Sequence, residues 1–320
     1  MSFSDRGLPA ALRRRVVGRN RELEVVVATL AAGRHVLLEG PPGTGKSTLL
    51  RALAEAAGVG FELVEGNAEL TPARLVGHHD PSRVMAEGYT EAIFVDGPLA
   101  AALRAGSLIY VEEINRVPEE TLNVLITVMS EGEINVPRLG RISAADGFRL
   151  VAAMNPFDAV GTARISSAVY DRTCRILMGY QDAGEEAEIV RRAVGPAAGP
   201  DPTWVEKVVA VVRLTRDHPE VRVGSSVRGA VDTVLVARSL AELRDTNPTS
   251  GTVGLDAAHA ALSGRIRLLE GSTRTAEEII TELWVRVFGW VREEDASEGG
   301  AADGRPAPGP TEGKVPAPPA

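Results

Sequence analysis

The stretch Gly40-Pro41-Pro42-Gly43-Thr44-Gly45-Lys46-Ser47 constrains this chain more than any other. It satisfies G-x-x-x-x-G-K-[ST] at every fixed position, and its flanks have the matching pattern. The apolar run ending Val36-Leu37-Leu38-Glu39 predicts a buried strand, and Ser47 to Ala54 predicts the helix that follows. Glycines let the loop backbone curl so that several N–H groups converge on an anion. The helix start adds free N–H groups and the positive end of its dipole. Gly40, Pro41, Pro42, Gly43, Thr44, Gly45, Lys46, Ser47 and Thr48 are therefore the candidate nucleotide-binding set. Lys46 is placed to reach the β- and γ-phosphates, and the Ser47 hydroxyl to ligate Mg²⁺. The pattern predicts a nucleoside triphosphate site.

Around this loop, strands alternate with helices up to about residue 180. Phe61 to Glu65 reads as a second strand after a helix closed by Gly58, and Ser107 to Glu113 as an apolar strand ending in two carboxylates. Phe148 to Met154 reads as another buried strand, and Cys174 to Tyr180 as the last. Such alternation implies a parallel sheet covered on both faces. Residues 66–97 are too long for a plain connection and predict an inserted hairpin or functional loop, with extended pieces near Val84-Met85 and Ala92 to Val95. Glu133 to Ser143 predicts a hairpin turning at Leu139-Gly140. Beyond residue 181, segments 183–194, 202–216, 226–244, 256–269 and 275–291 all have helical spacing. The expected organisation is a flexible arm over 1–15, an αβα nucleotide-binding core over 16–180, a helical lid over 181–292 and a disordered tail over 293–320.

In a parallel sheet, ligands bind at the carboxyl ends of the strands. Glu112 and Glu113 end one strand there, so Glu112 is the candidate for the Mg²⁺ water shell and Glu113 for the base that polarises water. Asn155, at the tip of another strand, is a candidate for orienting that water. On local sequence alone it reads equally well as an Asn-Pro turn. Arg172, before the last strand, and Arg228, in a first helical turn after Ser225-Ser226, read by themselves as surface arginines.

Taken together, these elements resemble AAA+ ATPases, and among them the MoxR family, over residues 16–290. The resemblance rests on Gly40 to Ser47, Phe94-Val95-Asp96-Gly97-Pro98-Leu99, Glu112-Glu113-Ile114-Asn115-Arg116, Met154-Asn155-Pro156, Tyr170-Asp171-Arg172 and Gly224-Ser225-Ser226-Val227-Arg228. It implies an AAA+ P-loop αβα sandwich with a parallel sheet, followed by an all-helical lid. It also implies ATP and Mg²⁺ bound between the subunits of a homo-oligomeric, usually hexameric, ring. By the same resemblance, Lys46 and Ser47 fall in Walker A and Glu112-Glu113 in Walker B. Asn155 is sensor 1, Arg172 the arginine finger acting on the neighbouring subunit, and Arg228 sensor 2 in its own. Arg116 is a further intersubunit candidate. The family's Walker B pair is Asp-Glu, whereas here it is Glu-Glu, a departure that bears on Mg²⁺ geometry and allows weakened hydrolysis. A chaperone-like role is implied, remodelling a protein client or maturing a metalloenzyme with a von Willebrand A-domain partner, through the 66–97 insert and the 133–143 hairpin.

The formal net charge of −8 argues against nucleic acid as a partner. A nucleic-acid-associated NTPase, such as a restriction-type GTPase or a helicase loader, is accordingly the rival reading. A non-hydrolysing nucleotide-dependent scaffold is the other. A single cysteine and the lack of a long apolar run point to the cytoplasm, with no membrane association. His78-His79-Asp80 reads as a polar loop rather than a metal site, and Cys174 as an inert buried thiol. Glu185, Glu186 and Glu188 read as a charged helical first turn, Trp284, Phe288 and Trp290 as lid core, and Arg13-Arg14-Arg15 as solvated.

Overall fold

The computed structural model describes residues 3–156, 166–195 and 201–289. In chain order it comprises α1 (Leu8–Arg15), α2 (Asn20–Ala31), β1 (His35–Glu39), α3 (Lys46–Ala57), β2 (Phe61–Glu65), α4 (Pro72–Val76), β3 (Gly77–His79), α5 (Pro81–Glu87), β4 (Phe94–Asp96), α6 (Pro98–Ala105) and β5 (Leu108–Glu112). There follow α7 (Glu119–Glu131), β6 (Glu133–Val136), β7 (Gly140–Ser143), β8 (Arg149–Met154), α8 (Ser167–Arg172) and β9 (Thr173–Leu177). The last part holds α9 (Ala183–Val194), α10 (Pro202–Asp217), β10 (Val221–Val223), α11 (Val227–Leu243), α12 (Gly251–Leu262), β11 (Arg267–Leu268) and α13 (Ala276–Phe288). Among the described residues, no helix is long and apolar enough to cross a membrane.

Five parallel strands form the central sheet in the order β2-β5-β8-β1-β9. Their side chains alternate strictly between two cores. Leu37, Ile109, Val111, Leu150 and Ala152 face one core, closed by α6, α7 and the β6–β7 hairpin. Val36, Leu38, Leu108, Tyr110, Val151 and Ala153 face the other, closed by α1, α2 and α3. Burial on both faces explains why these strands read as continuous apolar runs rather than alternating ones. Because the strands run parallel, their carboxyl ends share one edge.

The segment expected to be a loose arm is instead ordered structure. Phe3, Leu8, Leu12 and Val16 are buried in the second core, with Leu8 and Leu12 fully so. Two leucines four apart make one face of a single two-turn helix, and burying them outweighs the cost of ordering it. The insert contains an antiparallel pair, β3 with β4, but α5 lies between the two strands, so it is not a simple hairpin. Val84-Met85 lie in α5 rather than in an extended piece, because Asp80 caps that helix by accepting from the Ser82 N–H. His79 packs edge-on against Tyr89 and Phe94, an aromatic role rather than a polar-loop one.

The lid buries a separate core built largely from valine and alanine, with Trp204 and Trp284 at its centre. Trp284 stacks on Phe288 at 4.1 Å, as the spacing suggested, while Trp290 lies outside the described residues. The expected tail over 293–320 also lies outside them. One two-stranded ribbon, β10 with β11, interrupts the lid helices. Glu186 departs from the solvated reading: it is 1% exposed and ion-paired to Arg213 and Arg216 at 3.1 and 2.8 Å. Cys174 departs too. Sheet order puts β9 at an edge, and the thiol is exposed.

Candidate functional site

Strand β1 runs into the phosphate loop between β8 and β9, and α3 begins at Lys46 straight after it. Gly43 and Gly45 take positive φ of 75° and 82°, the left-handed conformation that curls the loop. Gly45 is the N-cap of α3 and offers no side-chain acceptor, so the first N–H groups of the helix are left to an anion. Lys46 is buried, and its Nζ donates to the carbonyls of Gly40 and Pro41 at 2.9 and 3.0 Å. Burial pushes its pKa from the ordinary 10.5 down to about 8. Nearby Glu112 and Glu113 oppose that shift, and Arg19 and Arg228 reinforce it. A phosphate would restore full charge to this ammonium.

The sheet brings Glu112 to the loop. The Ser47 hydroxyl donates to Glu112 Oε1 at 3.0 Å, and Tyr110 on the same strand lies 3.4 Å from Ser47 Oγ. A hydroxyl and a carboxylate this close form a hard oxygen pair suited to hydrated Mg²⁺. The glutamate side chain is long enough to reach Ser47 Oγ directly. Glu113 follows in the left-handed conformation at φ 52°, a strained backbone that turns it away from the strand line. Gly66, at the end of β2, makes room for that turn, since a Cβ there would lie 2.4 Å from the Glu113 carbonyl. Arg116, proposed for a neighbouring subunit, pairs within its own chain with Glu113 Oε2 at 3.1 Å.

Asn155 directly follows β8, the strand between β5 and β1, so it sits on the same edge as Glu112 and the loop. The Gly40 N–H donates to the Met154 carbonyl at 3.2 Å, joining the two strand ends. Arg228 lies in the first turn of α11, and the start of that helix presses on the loop: a Cβ on Gly43 would come 2.2 Å from Ser226 Oγ. The start of α11 thus borders the phosphate loop. Arg172 is the exception. It donates from Nε to Ser130 Oγ and from Nη1 to the Ala168 carbonyl, and it pairs with Asp171, none of these being a residue of the phosphate site.

Arg19 was missed by sequence reasoning. It is 7% exposed, at positive φ, and its Nη2 donates to Thr44 of the loop and to Gly179 and Gln181 at the start of the lid connection. An arginine directly after Gly18 at a helix start was the available signal, and it is a weak one.

Residues 35–173 match the family model described as AAA domain (dynein-related subfamily). The uncharacterized protein YeaC of Bacillus subtilis is 28% identical over 257 residues, covering 72% of this chain and 77% of that protein. An uncharacterized protein of Staphylococcus aureus (strain USA300) is 35% identical over 151 residues, and the match spans 57% of that relative and 47% of this chain. Among solved structures, a provisionally assigned ATPase from Cytophaga hutchinsonii aligns with TM-score 0.50 at 20% identity, covering 88% of this chain and 92% of that one. The RuvB Holliday junction branch migration motor of Thermotoga maritima aligns with TM-score 0.52 at 18% identity, covering 78% and 72%. The fold is that of AAA+ P-loop proteins, and residues 35–173 are similar to the AAA domain model.

Proposed function

We propose that this chain is a MoxR-type AAA+ ATPase that hydrolyses ATP with Mg²⁺ at the subunit interfaces of a homo-oligomeric ring. The observation that carries the reading is the contact between Ser47 and Glu112, which joins the phosphate loop to the acidic strand end at 3.0 Å. Loop N–H groups and Lys46 hold the triphosphate, and Ser47 and Glu112 hold the metal's water shell. Bound there, the metal would supply positive charge opposite the phosphate oxygens. Glu113 takes the proton of the attacking water, Asn155 orients that water, and Arg228 closes the lid on the γ-phosphate. Arg172, whose contacts lie away from its own loop, serves the site of the next subunit.

The client-facing parts are the 66–97 insert and the β6–β7 hairpin. Their association supports this, since the Arg138 guanidinium lies 3.8 Å above the Tyr89 ring and ties the two together. A hexameric ring working in the cytoplasm on a protein client, with a von Willebrand A-domain partner, completes the proposal. Phosphate release from Mg-ATP, together with light scattering with and without nucleotide, tests it. Turnover that appears with ring assembly and is lost in Glu113→Gln is the expected result. Full turnover by a monomer would overturn it.

A further inference from the structure

Glu39 occupies an unusual place. It ends β1 and immediately precedes the phosphate loop, yet its side chain is 2% exposed in a strand where Val36, Leu37 and Leu38 are fully buried. A buried carboxylate is costly unless charged or hydrogen-bonding partners surround it, and an apolar side chain at such a position is often no less stable. Its partners all come from one corner 131 to 136 residues away. The Tyr170 hydroxyl donates to Oε1 at 3.0 Å. The Arg175 guanidinium donates to Oε2, from Nε at 2.6 Å and also from Nη2. Tyr170 Oη additionally lies 3.8 Å from Met154 Sδ, one residue before Asn155.

Tyr170 and Arg175 bracket Arg172. The first is in α8, the second in β9, and Arg172 sits at the bend between them. Two side chains of this corner therefore grip the last residue before the subunit's own loop, while the arginine between them points elsewhere, towards Ser130. We propose that Glu39, Tyr170 and Arg175 form a positioning clamp that ties the arginine finger of a subunit to its own phosphate loop. Nucleotide held by one subunit thereby sets the geometry of the finger that it lends to the next. None of the three is a catalytic residue, and each acts through Arg172. The inference rests on the shared-site reading above.

The test uses the full chain, with Tyr170→Phe, which removes only a hydroxyl on a side chain already partly open to solvent, and Glu39→Gln as a second variant. Each is expected to lower ATP turnover by about tenfold, the scale of losing a hydrogen bond to a charged group, while KM for ATP stays at the wild-type value. The unfolding temperature stays at wild type in Tyr170→Phe and falls in Glu39→Gln, whose amide nitrogen would face a donor. Mixing Tyr170→Phe with Glu113→Gln protein is expected to recover turnover, because Glu113→Gln subunits present an intact clamp and finger to Tyr170→Phe sites. Arg172→Ala mixed with Glu113→Gln is the parallel control. If that control recovers and the Tyr170→Phe mixture does not, the clamp is wrong and the shared site stands. If neither recovers, the shared-site reading falls and takes the clamp with it. Unchanged turnover in both clamp variants, or a loss expressed in KM, would also overturn the clamp.

Discussion

At the phosphate-loop corner the important residues are consecutive, Gly40 to Ser47, and their partners converge on one sheet edge. The corner running from Tyr170 to Arg175 instead leads into the amino end of an outer strand, Thr173 pairing with His35, and its key partner, Glu39, is more than a hundred residues away. The first corner makes contacts that an anion can use within its own chain. The second makes contacts that leave Arg172 clear of them. The difference is one of construction: local backbone builds the first corner, and long-range side-chain pairing builds the second.

The sharpest way to break that contrast is Arg172→Ala. Turnover should fall by about 10³–10⁵-fold, measured as phosphate release, while ATP affinity measured by calorimetry changes little. Loss of ATP binding would move Arg172 into its own pocket and erase the distinction between the corners. Next in size, Glu113→Gln should lower turnover by about 10²–10⁴-fold and leave nucleotide bound, which a filter-retention assay would read.

A pH series probes the loop corner alone. The Lys46 pKa lies near 8 in the folded chain, below its ordinary value, so the site loses a positive charge as pH rises through 8. The dissociation constant for ATP should then rise by up to about tenfold per pH unit above that point. Stability runs the opposite way. Between about 8 and the ordinary 10.5 the unfolded chain binds more protons at this residue, so its contribution to folding improves with rising pH. Turnover measured under saturating ATP should not follow the affinity curve. The smallest effect is expected from Glu112→Asp. Because Glu112 already meets Ser47, turnover and its Mg²⁺ dependence should change by no more than about tenfold.

Much of the loop corner was legible because its chemistry is written in eight adjacent residues and its strand and helix are strongly periodic. Most lid helices were legible for the same reason, α9 falling on 183–194 as the spacing requires, but the helix expected over 256–269 is α12 at 251–262, with β11 occupying Arg267–Leu268. What failed depended on tertiary placement. Cys174 is exposed because β9 is an edge strand, and strand order is not encoded in a strand's own residues. Leu8 and Leu12 gave too little pattern to distinguish a docked helix from an arm. Glu186 and Glu39 read as surface or strand-end carboxylates, and only folding supplies the arginines and tyrosine that make their burial tolerable.

The seating of Ser226 against Gly43 has one more consequence. With no room for even a methyl group between them, the roof of the pocket rests on its floor. If the loop holds nucleotide as proposed, movement of the floor would have to raise the roof with it. Discharge of product and the swing of α11 would then be a single stroke, and a methyl group at residue 43 would act as a wedge that props the pocket ajar.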